Sequence, residues 1–96
     1  MKTRLKLFSP LAEAAGTPEL TVTLEEGATL KTVVDLLVER YGDGMKKHLF
    51  DTEGRIIPSW AVFLNQKIIT LNQPGALETP VFPLEEITFI LNIAGG

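Results

Sequence analysis

The chain ends on Gly95 and Gly96, which places a carboxylate beside no side chain at all. A terminal carboxyl group ionises near pH 3.5, so at neutral pH it is an anion and a poor acyl donor until it is activated. Two glycines would let that group thread a channel too narrow for any Cβ. At ordinary glycine usage a terminal pair arises in about one chain in 200, so the pair carries meaning only together with what precedes it. What precedes it is LEEITFILNI, from Leu84 to Ile93, whose centre reads as a stiff apolar strand. Even six residues beyond such a sheet would reach at most about 20 Å. The combination suits chemistry performed on Gly96 inside another protein's active site, with Ile93, Ala94 and Gly95 lying in the channel that leads there.

Little else in the chain could carry chemistry. It has no cysteine, which removes disulfides, thiolate zinc sites, iron–sulfur ligation and a cysteine nucleophile together. Its one histidine, His48, follows two lysines and precedes a leucine. An imidazole without carboxylate or histidine company reads as a surface residue rather than a ligand or a base. No metal and no bound cofactor is expected. The net charge of −3 weighs against nucleic acid as a partner. Lys2, Arg4 and Lys6 recur at period two, which lines them along one solvated face of the first strand. No apolar run is long enough to span a bilayer, and no apolar segment follows the short basic start as in a secretory signal. A cytoplasmic protein without a membrane partner is the expectation.

The elements that must position the tail follow from periodicity. KTRLKLF, residues 2–8, alternates with Thr3, Leu5 and Leu7 on one face, and ELTVTLE, residues 19–25, with Leu20, Val22 and Leu24. LAEAA from Leu11 to Ala15 suits a helical turn stopped by Gly16. Thr29 is positioned to cap a helix from Leu30 to Tyr41, whose Leu30, Val33, Val34, Leu37 and Tyr41 form one apolar stripe. Residues 45–59 read as irregular, with a tight turn at Asp51 to Gly54. Trp60 to Leu64 is a third strand and Lys67 to Thr70 a short fourth. Pro80 and Pro83 keep residues 72–83 out of regular structure. The last strand begins near Glu86, with Ile87, Phe89 and Leu91 toward the helix and Ile90 outward, where it would dock a partner. In the third strand, Ala61 and Phe63 face oppositely to Val62 and Leu64, and period two does not say which pair faces out.

With one main helix to cover one face, the economical α+β solution is a mixed sheet of about five strands wrapped on it. The first and last strands would lie parallel in the middle, which is the β-grasp or ubiquitin-like roll. The domain would occupy residues 1–92 and the tail residues 93–96.

These residues carry a likeness. KLFSPLAEAAG, LEEGATLKTVVDLLVERYG, EGRIIPSWAVFLNQK, LETPV and the terminal AGG, in this order, resemble the ubiquitin-like sulfur carriers of the MoaD and ThiS type. The likeness covers nearly the whole chain and is greatest to the small subunit of molybdopterin synthase and its archaeal relatives. Two places depart from the usual pattern. Leu84-Glu85 stands where the family tends to carry Gly-Asp, and Leu91 where a proline commonly ends the last strand. A residue with a backbone donor there lets the ladder run further.

The resemblance implies a non-catalytic subunit of a sulfurtransferase. An E1-like adenylating enzyme would spend ATP to make an acyl-adenylate on Gly96, and sulfur transferred there would give a thiocarboxylate. The large subunit of molybdopterin synthase would then hold the catalytic groups for sulfur delivery. The same tail serves a second role, a protein modifier joined to lysines of target proteins, and related carriers serve thiamine synthesis or transfer-RNA thiolation.

Overall fold

The computed structural model describes residues 2–64, 66–81 and 86–91. Its elements run β1 (Lys2–Leu7), α1 (Leu11–Ala15), β2 (Glu19–Thr23), α2 (Leu30–Tyr41), α3 (Asp43–Leu49), β3 (Trp60–Leu64), β4 (Lys67–Thr70) and β5 (Glu86–Leu91). The five strands form one sheet in the order β2-β1-β5-β3-β4. β1 and β5 pair in parallel at its centre, Leu5 opposite Ile87 and Leu7 opposite Phe89. The other three pairings are antiparallel. This is the β-grasp arrangement expected from the order of elements.

Alternation decides which side of each strand meets the core. Leu5 and Leu7 of β1, Val22 of β2, Val62 and Leu64 of β3 and Ile87 and Phe89 of β5 are all buried. Against them packs the stripe of α2, with Leu30, Val33, Val34 and Leu37 buried. Truncating any of these leucines to alanine would cost about 2–5 kcal/mol, from lost transfer energy and the cavity left behind. At the start of α2 the Thr29 amide donates to Thr32 Oγ1 at 3.1 Å, satisfying a backbone donor at the cap. The next amides, of Leu30 and Lys31, donate to the carbonyls of Thr79 and Leu77. The loop before β5 is thereby tied across the start of the helix.

Residues 45–49, part of the stretch 45–59 expected to be irregular, belong to the helix α3, which begins at Asp43. It buries Met45 and Leu49, one turn apart, and its Phe50 amide closes the last turn on Lys46. Gly42 links α2 to α3 with φ of 71°, a backbone conformation that favours glycine. His48, read as a surface residue, is half-buried, and its carbonyl accepts a hydrogen bond from the indole Nε1 of the buried Trp60.

Candidate functional site

The site is assembled around the C-terminal end of β5. Gly96 and the residues expected to lie in a partner's channel, Ile93, Ala94 and Gly95, lie outside the described residues, as does Asn92. The strand that leads to them is fixed on both sides. β1 flanks it in parallel, and β3 pairs with it from Leu64 opposite Ile87 to Trp60 opposite Leu91. The ladder therefore reaches Leu91, a position with a backbone donor that proline would lack. Leu91 shares its parity with Ile87 and Phe89 but differs in burial. Expected to face the helix, it is 40% exposed, as the last residue of the strand.

The face of the sheet turned away from α2 divides into two halves. One is apolar. Ile90 faces outward as expected, half-buried, opposite Ala61. Phe63 is the outward residue of β3 at 42% exposure, so the face it shares by parity with Ala61, itself fully buried, is the one opposite to that of Val62 and Leu64. Phe63 lies opposite Thr88 on one side and Ile68 on the other, and Ile68 is 62% exposed. Phe8 follows β1 on the parity of Arg4 and Lys6, at the end of the strand nearest Ile90, and is also exposed. Phe8, Phe63, Ile68 and Ile90 form an apolar band beside the end of β5, of the kind that marks a contact surface.

The other half is charged. Arg4 Nη2 stands 3.0 Å from Glu86 Oε2, and Lys6 Nζ 3.4 Å from Glu86 Oε1. Arg4 Nη1 also approaches Glu19 Oε1 at 3.7 Å. Arg4 and Lys6 of the basic stripe read from the sequence thus join an ion-pair ladder across β2, β1 and β5. Each pair is exposed and screened, contributing about 0.2–1 kcal/mol.

Of the residues in the band, the sequence singled out Ile90. Phe8 was legible from its parity with Lys6. Phe63 lies in a strand that is apolar throughout, and Ile68 stands beside a second isoleucine, Ile69, so alternation alone carries no signal for their facing. The shifted ionisations lie elsewhere. Backbone amides of Arg55 and Glu53 hold the Asp51 carboxyl below its usual range, and the Asp35 carboxylate raises Lys31. Among the described residues no group of His, Asp and Glu could hold a metal ion, and no helix is long and apolar enough to cross a membrane.

Solved structures share this architecture from end to end. SAMP1 from Haloferax volcanii superposes with a TM-score of 0.79 at 24% identity, covering 100% of both chains. The small archaeal modifier protein SAMP1 from Methanosarcina acetivorans gives 0.72 at 28% identity, covering 99% of this chain and 96% of that one. A Pyrococcus furiosus protein described as a molybdopterin converting factor, subunit 1, gives 0.73 at 15%, covering 97% and 99%. No curated protein sequence matches significantly. A profile of the ThiS family matches residues 5–96, from β1 through the terminal glycines. On that match, and on the sheet order that places β5 at its centre, the chain belongs to the ThiS family of ubiquitin-like β-grasp proteins.

Proposed function

We propose that the chain is a sulfur carrier whose reacting atom is the carboxyl carbon of Gly96. A carboxylate oxygen attacks the α-phosphorus of ATP on an E1-like enzyme, pyrophosphate leaves, and the carboxyl becomes an acyl-adenylate. A hydrosulfide equivalent then displaces AMP, leaving a thiocarboxylate that is ionised and nucleophilic at neutral pH. This chain contributes no acid, base or metal to those steps. It contributes a rigid body, an apolar band on which the activating enzyme seats, and a tail short enough for docking to fix where its end falls. The supporting observation is the position of the band: Ile90 sits on the same strand that runs into the tail, with Phe63 one strand away.

Molybdopterin synthesis is the acceptor pathway we favour, with the large subunit of molybdopterin synthase as second partner. The sequence likeness and the shared fold of the Pyrococcus furiosus converting-factor subunit support it. A second reading is favoured by the 28% identity to an archaeal modifier protein: the activated Gly96 passes to a lysine of a target protein. The two share activation and differ in fate. Purified with an activating enzyme, ATP and a sulfide source, the chain should gain the mass of one sulfur replacing one oxygen at its last residue. An unchanged mass with an active enzyme present refutes the carrier. Target lysines bearing a Gly-Gly remnant after proteolysis would establish the modifier.

A further inference from the structure

β4 forms one edge of the sheet, and its register decides which of its backbone groups are open. The Leu71 amide donates to the Trp60 carbonyl at 3.0 Å. In an antiparallel ladder the hydrogen-bonded pairs then recur at every second step, through Ile69 with Val62 and Lys67 with Leu64. The amides and carbonyls of Ile68 and Thr70 point away from β3. The Thr70 carbonyl also accepts from the Gln73 amide at 3.2 Å, which leaves it one lone pair. The side chain of Ile68 is 62% exposed, the most of any large apolar residue among those described, and it stands beside Phe63.

The strand has one charge near each end of its α2 side. Lys67 opens it, on the parity of Ile69 and Leu71, which pack toward the core. Past its other end lies a hollow of about 770 Å³, lined among others by Leu71, Glu78 and Lys31 of α2. The other charged residues of the hollow are already paired, Lys31 with Asp35 and Arg55 with Asp51 and Glu53. Lys67 and Glu78 are both exposed, and neither takes part in an ion pair among the described residues. An antiparallel copy of the same strand would bring each of them to the other.

We propose that β4 pairs with β4 of a second copy of this chain, about a two-fold axis between the two Ile69 residues. Ile68 of each copy exchanges backbone hydrogen bonds with Thr70 of the other, and the two sheets become one. Lys67 then falls opposite Leu71 of the second copy, at the hollow where that copy's Glu78 stands, and symmetry makes the contact twice. On the outer face Ile68 meets Thr70 directly and the other Ile68 on the diagonal, which joins the two apolar bands. An edge lysine ordinarily discourages pairing. Here the antiparallel register sets the two Lys67 residues at opposite ends, each against a carboxylate. The register with Ile68 opposite itself would bring Gln66 into the ladder, and its φ of 70° is not a strand conformation.

Sedimentation velocity and amide exchange on the full chain test this. Pairing should grow with protein concentration. With it, exchange should slow at Ile68 and Thr70 but not at Lys67 and Ile69, whose amides already face β3. Lys67→Glu and Glu78→Lys change exposed side chains and should leave the fold intact. Each alone sets like charges together at both symmetric contacts and should weaken pairing at least about fivefold. An equimolar mixture of the two variants should pair as tightly as the parent, because every contact again joins opposite charges. A chain still monomeric at about 1 mM overturns the proposal. So does a mixture that pairs no better than either variant alone, which removes the crossed contact. Concentration-dependent slowing at Thr21 and Thr23 instead also overturns it, by placing the second copy on β2.

Discussion

Arg4 and Glu86 are direct neighbours across the parallel β1–β5 pair, with Nη2 3.0 Å from Oε2. The contact ties the second half of the chain to the first at the point where β5 enters the sheet. Both side chains are substantially exposed, so its energy is that of a surface pair. Glu86→Gln should lower the unfolding free energy by less than about 1 kcal/mol. In about 1 M salt, where the Debye length falls to about 3 Å, the variant and the parent should have the same urea midpoint.

Thr3 has the opposite problem. Its side chain turns to the core at 1% exposure, and its hydroxyl is buried with no hydrogen-bond partner among the described residues. An unpaired buried hydroxyl costs about 1–3 kcal/mol of desolvation. Thr3→Val keeps the branched shape and removes the polar atom, so it should stabilise the fold by about 1 kcal/mol. A higher urea midpoint at unchanged m-value would show it.

Asp51 organises the turn before β3, accepting from the amides of Glu53 at 2.9 Å and Arg55 at 3.0 Å. These amides favour the charged form and hold its pKa below the ordinary 3.8. A depressed carboxyl stabilises the fold above its unfolded pKa and loses that contribution as pH falls through the folded value. The turn should therefore loosen only below about pH 4. The Glu53 and Arg55 amide shifts should titrate together there, and Asp51→Asn should remove that titration.

Phe63 and Phe89 separate docking from folding. Phe89→Ala empties the core, where the ring is fully buried, and should cost about 3–5 kcal/mol. Phe63→Ala removes a ring already 42% exposed and should cost less than about 1 kcal/mol. Yet this second variant should slow adenylation of Gly96 by a cognate activating enzyme at least about tenfold, by removing a docking anchor. Unchanged adenylation kinetics would remove the band from the proposed mechanism.

Elements with a full period were legible in the sequence. The stripe of α2 spans three turns, and its ends match the expected Leu30 and Tyr41. The strands from Trp60, Lys67 and Glu86 also begin where expected. α3 was missed because seven residues with two apolar positions, Met45 and Leu49, are too few to establish a period, and Gly44 sits within them. Sequence parity also misled at Leu91, since alternation fixes a side chain's direction but not whether anything lies above it. The facing of Phe63 depended on tertiary packing, because Trp60 to Leu64 is apolar at every position and either register would bury greasy side chains.

The sheet order has a consequence for biosynthesis. Its middle strand is made last: a ribosome-bound chain that has not yet released residues 86–91 lacks the strand that lies between the pair β1 with β2 and the pair β3 with β4. The non-local pairings of that strand must wait for translation to pass β5. A truncated product would consequently lack the assembled surface as well as Gly96, so under the proposed function an activating enzyme that reads the one would never waste nucleotide on a fragment missing the other.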